Sequence, residues 1–183
     1  RPGEYMPVYE NERGTYIFNS KDLCMIGHVP EMIDAGIDSF KIEGRMKTAL
    51  YVATVARTYR KAIDDYMKDP KLYEANMEWY KEEIGKCTYR EFTTGFYFGK
   101  PGSDAQIYNS NTYVKNYTYL GTVEEADGKG RCRIEQKNKV VVKSICDEDG
   151  NGQESAPHPK QILWVDLGAD VDKYDILRKK EDN

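Results

Sequence analysis

The sequence predicts an α/β part followed by an all-β part. The first part reads as a parallel α/β sheet or barrel, taken as the last βα units of an incomplete TIM-like barrel, and the second as a small C-terminal β-barrel or sandwich. Three observations carry this. Strand and helix signals alternate through the first half. The stretch "GKPGSDAQIYNSNTY" (99–113) is rich in Gly, Asn and Ser and reads as a linker. Short β-rich runs then recur, with turn signals between them. The expected domains are 1–106, the C-terminal part of the α/β barrel with a helical extension, and 107–183, the β-barrel.

In the first half, "TYIF" (Thr15 to Phe18) is β-branched and aromatic, and reads as a strand. Ser20 is the expected N-cap of a following helical segment, with Asp22 in its first turn. Gly27 interrupts. Pro30 suits the first position of a short helix and Gly36 its C′ position. "SFKI" (Ser39 to Ile42) reads as the next strand. A long helix follows, with Val52, Val55, Ala56, Tyr59, Ile63 and Tyr66 on its core stripe. Arg57, Arg60, Lys61, Asp64 and Asp65 take its other faces. Pro70 ends it. A second helix, from about Lys71 to Ile84, places Tyr73, Met77, Tyr80 and Ile84 on one stripe.

The second half offers five short strands: Tyr117 to Val123, Arg131 to Gln136, Lys139 to Ile145, Gln161 to Leu167 and Tyr174 to Lys179. The turn signals "DGKG", "EDGNG" and "APHP" separate them. Two βα units cannot close a barrel that needs eight. The chain starts at Arg1 and reads there as mid-protein sequence, so a fragment of something larger is expected.

Composition narrows the function classes. Hydrophobic residues make up 39% and charged residues 32%, with a mean hydropathy of -0.77. No apolar run approaches membrane-span length, and no signal-peptide pattern is present. No membrane partner and a cytoplasmic location are expected. Cys24, Cys87, Cys132 and Cys146 are scattered without a CxxC pair, which excludes a zinc ribbon or thioredoxin-type motif. Net charge is -4, yet residues 128–143 carry net +5 and leave -9 for the rest. His28 and His158 do not form a metal pair. No Ser-His-Asp set with a nucleophile motif can be assembled, which argues against a hydrolase site within this chain.

Residues just after barrel strands face the active site of such folds. One such place is Asn19 to Cys24. Cys24 is a core filler, a nucleophile, or one ligand of a site whose other members lie elsewhere. The second holds Glu43, Gly44, Arg45 and Lys47. Arg45 suits a bidentate grip on a carboxylate or phosphate. Glu43 suits an acid/base role or the orienting of Arg45. The alternative is an ion pair at the barrel rim. In the β part, Arg131 and Arg133 share one strand face, while Cys132 and Ile134 share the other. With Lys137 and Lys139 they are the candidate RNA-backbone contacts; the alternative is a solvated face. "REFTTGFYFGK" (90–100) mixes aromatics with basic ends and fits core packing or an RNA-stacking strand.

The blocks "RPGEYMPVYENERGTYIFNSKDLCMI", "IDAGIDSFKIEGRMKTALYVATVARTYRKAID", "FTTGFYFGKP" and "ESAPHPKQI" together resemble the collagenase-like peptidase family U32, over nearly the whole chain. That resemblance implies an upstream α/β barrel and a C-terminal β-barrel similar to those of translation factors. It implies one of two activities. One is proteolysis of collagen by an unknown catalytic type. The other is RNA hydroxylation, of transfer-RNA uridine or a ribosomal cytidine, with prephenate as a needed metabolite and an iron–sulfur cluster. Three cluster ligands would precede Arg1, and the fourth matches Cys24. The cluster is expected to be absent from this fragment. Arg45 would suit a dicarboxylate such as prephenate, and the basic strand would suit tRNA. A homo-oligomer or paralogous partner is a further expectation, as is a purely binding or scaffolding role for the isolated chain. The short "NKVVVKSICDEDG" departs from the family's longer segment there and puts strand continuity near Val140 to Lys143 in question.

Overall fold

A computed structural model of the chain describes every residue except 1, 4–7, 13, 17–18, 109–112, 140–143, 157, 159 and 182–183. The chain divides into two compact units, Arg1–Lys115 and Asn116–Asn183. Among the described residues no helix is long and apolar enough to cross a membrane.

The first unit opens on an antiparallel hairpin of β1 (Tyr9–Asn11) and β2 (Gly14–Tyr16). The expected strand at Thr15 is present here, although its last two residues lie outside the described set. Ser20 and Asp22 do not begin a helix. Ser20 bridges Gln106, and Asp22 starts β3 (Asp22–Leu23), which pairs in parallel with β4 (Phe92–Thr93). Local cap chemistry lost here because the Asp22 carboxylate binds Arg90, sixty-eight residues away. A 3-10 turn (Ile26–His28) then leads into α1 (Val29–Asp34). Pro30 sits in its first turn, and Gly36, at φ +77°, takes the left-handed C′ position after Ala35.

Ser39 to Ile42 is not a strand. No strand among the described residues pairs with it, and an unpartnered strand has no ladder to hold it extended. Ile37 and Ile42 remain 41% and 38% exposed. The parallel pairing seen in this unit is thus the two-residue β3–β4 match.

Helix α2 (Ala49–Lys68) starts where Thr48 Oγ1 accepts the Tyr51 N–H, 3.3 Å away. It ends at Asp69, which also caps α3 (Pro70–Ala75) by accepting the Lys71 N–H. Pro70 therefore stops one helix and starts the next. The predicted second helix breaks at Asn76 into α3 and α4 (Met77–Ile84). Asn76 donates its side-chain amide to Asp65 and adopts a non-helical conformation.

The buried stripe of α2 is Leu50, Thr54, Val55, Thr58, Ala62 and Asp65. It is rotated from the predicted one: Val52 and Ala56 are exposed, while Tyr59, Ile63 and Tyr66 are half-buried. Two polar residues make this possible. Thr58 returns its hydroxyl proton to the Thr54 carbonyl at 2.7 Å. Asp65 accepts hydrogen bonds from Lys61, Asn76 and Tyr80 at 2.7, 2.9 and 2.5 Å. Around it, Met25, Ile26, Val29, Met32, Tyr73, Tyr80 and Ile84 form the core of this unit.

The second unit is one antiparallel sheet. Its strands are β5 (Tyr117–Ala126), β6 (Arg131–Gln136), β7 (Ile145–Cys146), β8 (Gly152–Gln153), β9 (Ile162–Asp166) and β10 (Ile176–Lys180). The spatial order is β10-β5-β6-β9-β7-β8. Val123, Cys132, Ile134, Ile145, Leu163 and Val165 form its core. The predicted strand over Lys139 to Ile145 lies mostly outside the described residues, as does the continuity question near Val140 to Lys143. Its final residue begins β7. Among the described residues β8 and β10 do not pair.

Burial pushes the Asp65 carboxyl upward, but the bonds from Lys61, Tyr80 and Asn76 outweigh it and hold the group below the usual carboxylate range. A depressed folded value gives stability that is complete above the unfolded value near 4 and is lost as pH falls through the folded one. Asp65→Ala should cost about 1–3 kcal/mol at pH 7 in urea unfolding. The gap from wild type should narrow as pH falls below about 4.

Candidate functional site

The site is built where β3 hands over to the 3-10 turn. A two-residue parallel pair is weak by itself. Here Asp22 reinforces it. Its Oδ1 accepts Arg90 Nε and Nη2 at 3.3 and 3.2 Å, and its Oδ2 accepts the Arg90 backbone N–H at 2.9 Å. Lys47 Nζ reaches the same oxygen at 3.4 Å. The Lys47 and Arg90 cations both lie over the Tyr113 ring, at 4.9 and 5.5 Å.

Cys24 follows directly. Its backbone N–H donates to the Thr93 carbonyl at 2.9 Å. The next N–H, of Met25, donates to the Tyr59 hydroxyl at 2.8 Å. That hydroxyl lies 3.8 Å from Cys24 Sγ. Burial pushes the Cys24 thiol above its ordinary value. Burial and the neighbouring Cys24 push the Tyr59 hydroxyl far upward, so it stays protonated.

A cavity of about 490 Å³ opens beside this handover, lined in part by Asp22, Met25, Glu43, Lys47, Tyr51 and Tyr59. Glu43 is thus at the cavity, as the sequence suggests. Arg45 is exposed and does not line it. Glu43 Oε1 accepts the Arg45 backbone N–H at 2.8 Å, so the pair forms a local turn rather than a carboxylate–guanidinium bridge. The guanidinium has no hydrogen-bonding or ionic partner among the described residues.

Sequence reasoning placed Tyr51 nowhere and Tyr59 in the core. Both belong to the cavity, with Val55 between them at helical spacing. The signal was the aromatic pair at i and i+8 carrying polar tips. His28 is engaged elsewhere, its Nδ1 2.9 Å from Glu31 and its ring 4.5 Å from Phe98.

Cys87 is buried, with its thiol donating to the Ile84 carbonyl at 2.9 Å and pushed up by burial to about 11. Among the described residues no three His, Cys, Asp or Glu side chains gather as a metal-binding group. Toward a metal cluster Cys24 would contribute one soft sulfur donor.

The basic strand residues lie in the second unit. Arg133 pairs with Glu124 and Glu148, and Lys137 pairs with Glu135. Arg131 lies over the Trp164 ring at 5.8 Å. Lys139 has no such partner among the described residues.

Comparison with known proteins follows the same division. The profile of peptidase family U32 matches residues 3–107, and that of the peptidase family U32 C-terminal domain matches residues 139–178. The chain belongs to peptidase family U32. Among U32 relatives, tRNA hydroxylation protein P1 of Bacillus subtilis is 35% identical over 94% of this chain and 45% of its own length. The tRNA hydroxylation protein P of Escherichia coli is 44% identical over 78% of this chain and 31% of its own. A Porphyromonas gingivalis protein named Collagenase is 40% identical over 65% of this chain and 31% of its own. The chain thus spans less than half the length of these relatives.

Exposure and thiol chemistry divide the four cysteines. Brief maleimide treatment of the native chain at pH 7, read by peptide mass spectrometry, should label Cys146 first and Cys24, half-buried with its thiol pushed upward, more slowly. Cys87 and Cys132, both buried and raised to about 11, should label only in denaturant. Native labelling of Cys87 would contradict the packing described.

Proposed function

We propose that this chain is the C-terminal part of an RNA-hydroxylating enzyme acting on transfer-RNA uridine. The supporting observation is the alignment of nearly the whole chain with a relative named for tRNA hydroxylation. In this reading the first unit is the end of an α/β barrel, and the second is a β-barrel module that binds substrate.

Cys24 is one thiolate ligand of an iron–sulfur cluster whose other ligands lie outside this chain. Such a cluster, when bound, supplies one-electron redox chemistry or Lewis acidity. This chain's own residues then do three things. The Asp22–Arg90 clamp and the Thr93 carbonyl fix the backbone at Cys24. Tyr59 offers its hydroxyl proton to the sulfur. Lys47 at the cavity, with Arg45 two residues after Glu43 and outside it, supplies positive charge for a carboxylate metabolite such as prephenate. Glu43, at the cavity, is the acid/base candidate.

A peptidase is the second reading, favoured by the relative named Collagenase. Against it, His28 is held by Glu31, and among the described residues no Ser, Thr or Cys side chain is bonded to a histidine.

The two readings separate in one experiment. A strain lacking the full-length protein is complemented with wild type, Cys24→Ala or Arg45→Ala. Hydroxyuridine in bulk tRNA is measured by mass spectrometry, and the purified proteins are incubated with denatured collagen. Wild type should restore hydroxyuridine, Cys24→Ala should abolish it, and Arg45→Ala should lower it on the order of tenfold, as loss of a charged hydrogen bond would. Cleavage of collagen with no effect on hydroxyuridine would replace this reading with the peptidase one.

A further inference from the structure

Residues 90–100 are neither packed into the core nor one continuous strand. Phe92 and Thr93 pair as β4, and the chain then folds back through a tight turn. The Tyr97 N–H donates to the Thr94 carbonyl, and the Gly99 N–H to the Phe96 carbonyl, both at 3.3 Å. Phe96, Tyr97 and Phe98 follow one another on this turn and are 78%, 56% and 63% exposed. Contiguous exposed rings of this kind mark an interaction surface.

The turn is anchored at both ends. Gly95 takes a left-handed conformation, at φ +58°, and a Cβ there would lie 3.3 Å from Leu23 Cδ1. Its N–H donates to Thr93 Oγ1 at 3.1 Å. At the far end the Phe98 ring packs 4.5 Å from the His28 ring. Phe96 and Tyr97 lie between these anchors and outside the core of this unit.

A second cavity, of about 510 Å³, lies beside the turn and falls within the range of small-ligand clefts. Leu23, Thr93, Phe96, Tyr97 and Gln106 are among its lining residues. Lys21 is the one charged side chain that lines it among the described residues, and Glu91 meets that charge at 3.0 Å. The Gln106 side-chain amide makes no hydrogen bond among the described residues. The 490 Å³ cavity differs, being lined by Asp22, Lys41, Glu43 and Lys47. Leu23 and Tyr97 line both, so the two cavities meet at the residue before Cys24.

Resting on the RNA reading above, we propose that the turn and this second cavity form the site of the target base. An uncharged heterocycle suits a slot whose one charge is already paired, whereas a carboxylate metabolite suits the charged cavity next to it. Phe96 and Tyr97 stack on the base, and the Gln106 amide, donor and acceptor together, meets its hydrogen-bonding edge. An enzyme that modifies a base takes it out of its stack, and anchored, exposed rings supply the replacement stacking. Recognition here is of the base, not of phosphate. A polypeptide covering these rings would need only their apolar area; the free amide edge and the wall shared with the Cys24 junction suit a reacting base.

The test uses the full-length protein with two fluorescein-labelled oligomers, an oligouridine and a strand of the same length whose riboses are abasic. Affinity is read by anisotropy at one salt concentration. Both oligomers carry the same phosphates, so the ratio of their affinities reports the base. Wild type should prefer the oligouridine on the order of tenfold or more. Tyr97→Phe keeps a ring and should keep that ratio. Phe96→Leu combined with Tyr97→Leu keeps apolar bulk without a stacking face and should bring the ratio close to one. Far-ultraviolet circular dichroism checks folding. If the double variant unfolds, Phe96→Leu alone, which lies outside the core, decides and should lower the ratio severalfold. A folded leucine variant that keeps the wild-type ratio would overturn the base site and assign the rings to a polypeptide cover. Wild type that binds both oligomers alike, or neither, would overturn it as well. The RNA reading is judged apart, by hydroxyuridine in the complemented strain, and stands where that is restored.

Discussion

The Asp22 carboxylate is the constraint on which the first unit's candidate site depends. Two paired residues make a poor parallel sheet, and such sheets persist elsewhere because helices cover them and neighbours extend them. Here one carboxylate gathers a backbone N–H and a guanidinium from Arg90 and an ammonium from Lys47. Three separate segments meet there: β3, the approach to β4, and the turn before α2. The half-buried setting of Asp22 leaves these charge-assisted bonds less screened than surface pairs. With β3 fixed, the chain delivers Cys24 beside Tyr59 of α2, and the cavity forms against that junction. The rest of the unit follows from a second carboxylate. Asp65 joins α2 to the Asn76 break and to Tyr80, and so sets how the three later helices pack.

Features fixed by near neighbours were legible in the sequence. Arg131 to Gln136 shows the boundaries its alternation suggests, because one buried face enforces the period. Pro30, Gly36 and Pro70 act as their backbone chemistry requires. Features decided by distant partners were not legible. Ser20 and Asp22 carry a helix-start signal that Arg90 overrides. Asn76 looks like an ordinary helix residue until Asp65 is placed beside it. Asp65 is expected on an outer face of the helix and Thr54 and Thr58 fall outside the predicted stripe, yet all three are buried, with Thr58 donating to the Thr54 carbonyl and Asp65 accepting from Tyr80. The candidate site divides the same way. Cys24 and Glu43 stand out by position after predicted strands, while Tyr59 hides within an apolar stripe and Tyr51 beside it. Arg45 draws notice by charge but stands outside the cavity, and Lys47 two residues on lines it.

Each unit brings a different kind of chemistry. The first offers one soft sulfur donor, a cavity and a fringe of cations. The second offers a sheet face with rings and guanidinium groups. Membership of peptidase family U32 is compatible with names as different as collagenase and tRNA hydroxylation protein among its relatives. Fold and family therefore leave the reaction to be argued from the site. A thiol pushed upward by burial and with no bonded histidine is poorly set up as a free nucleophile. In the proposed reading the same thiol is a metal ligand, and a coordinating metal would deprotonate it outright.

That contrast points to iron bound to the full-length protein as the most direct measurement. Wild type and Cys24→Ala are purified without oxygen, and iron content and visible absorbance are recorded for both. The account predicts a coloured, iron-containing wild type and a variant that loses most of both signals while keeping its circular dichroism. A Cys24→Ala protein with undiminished iron and absorbance would contradict it.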